Sequence, residues 1–178
     1  MRIFVSHTRL VAAFFVLIAL SGASFPQKRT NRNEDKLVLD PVVSRKDLYP
    51  AGAEAKKEIT EALQRAVAER KRVLLVFGAN WCYDCHVLDR ALHEGEAGRV
   101  ISQSFLVVHV DIGEGDKNLD LVKQYKTTLD KGVPVVVVLN RDGRVLYGSD
   151  DGEFESARTM MKKDLLSFLI RWRAGRQG

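Results

Sequence analysis

The amino-acid sequence predicts an α/β fold in which a mixed central sheet of about four strands is flanked by helices. Three observations carry that prediction. Apolar runs at 73–77, 105–111 and 135–139 have the length and β-branched content of buried strands. The segments between them repeat their apolar residues at helical spacing. Asn140-Arg141-Asp142-Gly143 is a hairpin turn signal, so a further strand at 144–147 returns antiparallel. Strands joined through helices pair in parallel, and a closing hairpin then makes the sheet mixed.

Taken in order, residues 53–70 form an amphipathic helix, with Ala55, Ile59, Ala62, Leu63, Ala66 and Val67 on the core face. The strand at 73–77 follows a basic turn. A second helix starts near Cys82 and runs to about Glu94, burying Cys85, Leu88 and Leu92, and Gly95 and Gly98 interrupt it. A short helix over 97–104 leads into the strand at 105–111. Gly113 and Gly115 mark a loop, and Asn118 is placed to cap a helix through Leu119, Leu121, Val122 and Tyr125. After the strand at 135–139 and its hairpin, a last helix over 162–173 carries Leu165, Leu166, Phe168, Leu169 and Trp172.

Residues 1–23 have the layout of a secretory signal peptide: Arg2 and Arg9, an apolar stretch over 10–20, then Ser21-Gly22-Ala23. As a helix that stretch rises about 16 Å, against roughly 30 Å of hydrocarbon, so cleavage is expected rather than a stable membrane anchor. No cysteine stands near the cleavage site to accept a lipid. Export makes the product secreted or periplasmic, where disulfides persist. Residues 24–50 read as a flexible or loosely packed N-terminal segment, and 51–175 as one domain. The net charge of +5 includes the two leader arginines. The remaining basic residues are scattered among acids, apart from Arg171, Arg173 and Arg176, so a nucleic-acid partner is not expected.

The chemistry concentrates in Trp81-Cys82-Tyr83-Asp84-Cys85-His86, which holds the only two cysteines of the chain. The Cys-x-x-Cys spacing brings both sulfurs within bonding distance when the first cysteine opens a helix. There the unpaired N–H groups and partial positive charge of the first turn stabilise a thiolate. Strand, tight turn, Cys-x-x-Cys and helix make the layout of a dithiol redox centre.

The segment 73–85, VLLVFGANWCYDC, resembles the active-site strand and turn of the thioredoxin family, including the tryptophan before the first cysteine. A second match is Gly132-Val133-Pro134, about fifty residues on. The likeness runs over about residues 53–173 and is to the exported, soluble members. It implies a thioredoxin-like fold, with Cys82 as attacking thiolate and Cys85 as the more buried resolving cysteine. It also implies a cis-proline at Pro134, with Val133 and Trp81 lining the substrate site. Tyr83, Asp84 and His86 are possible modulators. One departure stands out. The family often has a buried carboxylate six residues before the first cysteine, as proton acceptor for the second, and here that position is Val76. Asp84 reads as solvated. A carboxylate beside Cys82 disfavours its thiolate and leans the pair toward a reductase.

Other readings of the motif stay open in the sequence. Cys82-x-x-Cys85-His86 matches the attachment motif for c-type haem, although it follows a strand rather than sitting among helices and loops. Zinc would need Cys82, Cys85, His86 and His93 to converge, which adjacent helical residues do not do. A structural disulfide in a non-catalytic binding module is the blander alternative, yet so small a loop contributes little chain entropy. Alone, Pro134 is an ordinary strand-opening proline. The expected function is thiol–disulfide exchange with other exported proteins. It needs no metal or organic cofactor, because the pair carries two electrons, but it needs a separate redox partner to recharge the pair.

Overall fold

The computed structural model describes residues 47–175; the signal-peptide reading of 1–23 and most of the segment 24–50 lie outside them. Four strands, β1 (Arg72–Gly78), β2 (Phe105–Asp111), β3 (Val135–Leu139) and β4 (Val145–Gly148), form one sheet in the order β2-β1-β3-β4. β1 and β2 run parallel, while β3 is antiparallel to both β1 and β4, so the sheet is mixed. β1 and β3 occupy the centre, and all five residues of β3 are buried, as a run of four valines and a leucine requires.

Helices cover both faces. On one side α1 (Ala55–Glu69) and α4 (Leu119–Gln124) pack Ile59, Ala62, Ala66, Leu121 and Val122 against Val73, Leu75 and Phe77. On the other, α2 (Tyr83–His93), α3 (Gly95–Ser104) and α5 (Lys162–Trp172) bury Val87, Leu88, Ile101, Leu165 and Leu169 against Leu74 and Val76. The alternation along β1 divides the two cores, because successive side chains of a strand point to opposite faces. Truncating one of these fully buried leucines, Leu88 for example, costs about 2–5 kcal/mol.

Several local expectations are corrected. Val67 is 59% exposed and is not on the core face of α1. Asn118 does not cap α4 with its side chain. It stands in the left-handed region at φ 52°, and its amide donates instead to the Asp111 carbonyl at 2.7 Å. Helix α3 begins at Gly95 itself, directly after α2 ends. Gly98 there lies so close to the His93 carbonyl that a Cβ would stand 2.6 Å from its oxygen. A 3-10 turn at Ala157–Thr159, which no sequence pattern marks, buries Ala157 against the α2 side of the core.

The segment ahead of α1 also differs from its expected looseness at its end. Leu48 and Tyr49 are buried and pack on Cys82 and Cys85. Most of α2 is buried, including the polar residues Asp84, His86 and Asp89, while Tyr83, Arg90 and His93 are exposed.

Candidate functional site

Cys82 is the N-cap residue of α2, in an extended conformation, and its sulfur accepts the Cys85 N–H at 3.0 Å. A helix that ends its first turn on a sulfur directs an unpaired donor and the positive end of its dipole at that atom. Cys82 and Cys85 form a disulfide with Cα atoms 5.3 Å apart. Cys85 is completely buried and Cys82 slightly less so, which orders them as inner and outer sulfur.

The outer side of the disulfide faces the turn before β3. Cys82 Sγ lies 3.5 Å from the Val133 carbonyl oxygen, and the Val133–Pro134 peptide bond is cis. Pro134 is buried and Val133 half-buried. Trp81, directly before Cys82, is 57% exposed, although its indole N–H donates to the Gly113 carbonyl at 2.9 Å. Tyr83 is exposed as well, with the Arg158 guanidinium 4.9 Å from the centre of its ring. Trp81 and Tyr83 thus flank Cys82 as exposed side chains, and the Val133 carbonyl approaches its sulfur.

Asp84 is not solvated. It is buried at the start of α2 and accepts from the Arg158 backbone N–H at 2.8 Å. It also binds the Arg158 guanidinium through both carboxylate oxygens. Hydrogen bonding and the Asp84 charge raise the Arg158 pKa. The carboxylate between the cysteines is thus compensated, and the argument that its bare charge opposes a Cys82 thiolate loses its basis. Sequence does not show this pairing, because Arg158 is 74 residues away on the 3-10 turn.

The inner side is largely invisible in the sequence. Asn80 clamps Tyr49 twice: its side-chain oxygen accepts the Tyr49 N–H and its amide donates to the Tyr49 carbonyl, each at 2.9 Å. The Asn80 carbonyl in turn lies 2.8 Å from His86 Nε2. His86 is therefore a buried anchor of the turn, and the nitrogen a haem iron would need is already engaged. Tyr49 meets the His109 ring edge to face, with centroids 5.4 Å apart. His109 pairs in register with Val76, so an imidazole stands on the strand beside the position where the family's buried acid would be.

Behind His109 lies Asp89, whose Oδ1 is 3.2 Å from His109 Nε2, at an angle too poor for a good hydrogen bond, and 3.3 Å from His93 Nδ1. Burial raises the Asp89 carboxyl pKa, but the two histidines outweigh it and hold the group well below the usual carboxylate range. A cavity of about 480 Å³ lined by Asp47, Leu48, Asp89, His93 and His109 adjoins this cluster.

Residues 54–141 match the model of a thioredoxin-like family. The solved structure of a disulphide isomerase from Xylella fastidiosa Temecula1 is 38% identical. That match covers 70% of this chain and 95% of that one, with a TM-score of 0.66. A thioredoxin from Thermus thermophilus and the oxidised C-terminal domain of Neisseria meningitidis DsbD are each 19% identical, with TM-scores of 0.48. They cover 63% and 66% of this chain, and 81% and 96% of their own. No curated protein sequence matches. The chain belongs to the thioredoxin-like family, and it has the fold and the Cys-x-x-Cys disulfide of that family's thiol–disulfide oxidoreductases.

Proposed function

We propose that this protein is an exported thiol–disulfide oxidoreductase that breaks and exchanges disulfides of other extracytoplasmic proteins, starting from its dithiol form. The observation that carries the reading is Cys82 itself, an N-cap sulfur at the helix start, beside the Val133 carbonyl and an exposed Trp81. The Cys82 thiolate attacks one sulfur of a substrate disulfide and expels the other as a thiolate. Cys85 then attacks Cys82, releasing the second substrate cysteine and leaving the Cys82–Cys85 disulfide. Two electrons pass to the substrate, so no metal or organic cofactor takes part, and a separate redox partner must return them.

Isomerisation, the activity for which the Xylella relative is named, uses the same first attack and also begins from the dithiol. The relative's name supports the dithiol as the starting form, whereas Asp84, paired with Arg158, favours neither direction. Export rests on the leader-like residues 1–23, and the described residues contain no helix long and apolar enough to cross a membrane. Trp81, Val133 and Pro134 are the residues against which a substrate peptide would lie.

Insulin reduction by wild type and Cys82→Ser tests the activity. Steady turnover by wild type and none by the variant is the expected result. Equal, negligible turnover in both would leave a binding module with a structural disulfide.

A further inference from the structure

We propose that the Tyr49 hydroxyl is a hydrogen-bond donor reserved for the Cys85 sulfur of the dithiol state, so that a residue from the segment before α1 favours the reduced protein. The inference rests on the thiol–disulfide exchange function proposed above.

Tyr49 is 2% exposed, and its hydroxyl has no hydrogen-bond partner among the described residues. Leaving such a group unpaired in a protein interior is costly, and the great majority of buried polar atoms avoid it. The hydroxyl is nonetheless held in place. Asn80 grips the Tyr49 backbone from both sides, and the His109 ring meets the Tyr49 ring edge to face. It also lies near the inner sulfur. A Cβ on Gly78 would stand 2.3 Å from the Tyr49 hydroxyl and 2.6 Å from Cys85 Sγ, so the two atoms are at most about 5 Å apart across a space that only glycine leaves open. Tyr49 packs on both cysteines.

Disulfide sulfur is a weak acceptor, and a thiolate is a strong one. When an incoming thiolate attacks Cys82 Sγ, the Cys82–Cys85 bond breaks and its electron pair leaves on Cys85. The new charge forms next to the idle hydroxyl. A second incoming thiolate then takes the first from Cys82, giving the partner disulfide and the Cys82 thiolate. The protons of the two partner thiols end on the protein's dithiol: as a thiolate Cys85 accepts strongly from the Tyr49 hydroxyl, and as a thiol it keeps that hydrogen bond in weaker form. Burial first, and then the charges of Asp89 and Asp111, raise the Tyr49 pKa, so the phenol keeps its proton and remains a donor. The unpaired donor of the oxidised form is thus paired in the reduced form, and the cost falls on one redox state alone.

The test is equilibration of full-length wild type and Tyr49→Phe with reduced and oxidised glutathione, alongside thermal unfolding of each redox form. The variant is expected to form its disulfide more readily, with an oxidation equilibrium constant about tenfold higher, equivalent to a potential about 30 mV lower for a two-electron couple. Its oxidised form should melt at or above the wild-type temperature, and its reduced form below it. A change in the constant of less than about threefold, or equal loss of stability in both forms, would overturn the proposal. So would a wild-type Tyr49 hydroxyl proton resonance that does not move downfield on reduction, a readout needing no substitution. Wild-type protein that fails to exchange with glutathione would defeat the proposed function, and this inference with it. Normal exchange with an unaltered variant would defeat this inference alone.

Discussion

The two sulfurs of the disulfide sit in different kinds of surroundings. Around Cys82 the neighbours come mostly from its own turn: Trp81, Tyr83 and the N–H groups of α2, with Val133 opposite. Around Cys85 the distant contributor is Tyr49 from ahead of α1, which also touches Cys82, with His109 of β2 and Asp89, one turn further along α2, behind it. The outer side is open and apolar, suited to an incoming peptide. The inner side is closed and polar, suited to receiving a charge that forms and vanishes with each turnover. A dithiol needs both, since one sulfur must be reached and the other must be looked after.

The inner side breaks first if its clamp is removed. Asn80→Ala deletes two hydrogen bonds to the Tyr49 backbone, and each is worth about 0.5–1.5 kcal/mol. A loss of about 2 kcal/mol, read as a lower urea midpoint at unchanged slope, is expected in both redox forms. Equal loss in both separates this clamp from the Tyr49 hydroxyl, whose deletion affects one form only.

On the outer side, Arg158→Met leaves Asp84 buried and uncompensated at the base of the Cys82 turn. A bare carboxylate there raises the Cys82 thiol pKa, so alkylation of the reduced variant at neutral pH should slow several-fold. Adding Asp84→Asn should restore the rate. Unchanged alkylation in the single variant would mean that the ion pair only holds the 3-10 turn in place.

The smallest effect concerns pH. The folded Asp89 carboxyl lies below its unfolded value, so its stabilisation is complete above the unfolded pKa, near pH 4, and is lost as pH falls through the folded value. Asp89→Asn should flatten that part of the urea midpoint profile. A profile identical to wild type between pH 5 and about pH 3 would contradict the histidine pairing as its source.

The same division governs what the sequence makes legible. The strands at 105–111 and 135–139, and the helix opening at Cys82, follow from short-range pattern: apolar runs, helical spacing and a capping position. The outer half of the site is equally local, and Val133-Pro134 is reached through the family likeness. Tyr49 carries no such signal, because it lies in a stretch without periodicity and owes its place to Asn80. Asp84 misleads for a related reason. Its partner is remote, and a charged residue between two cysteines looks like surface until that partner is placed. His109 is legible as a strand residue, but only strand register sets it beside Val76.

The central claim, that the two sulfurs have unequal tasks, is tested most directly by comparing Cys85→Ser with Cys82→Ser as single-cysteine proteins. With oxidised glutathione at neutral pH, Cys82 in the first variant should form a mixed disulfide at least about tenfold faster than Cys85 in the second, as intact-mass measurement would show. Equal rates, or faster capture by Cys85, would contradict the account.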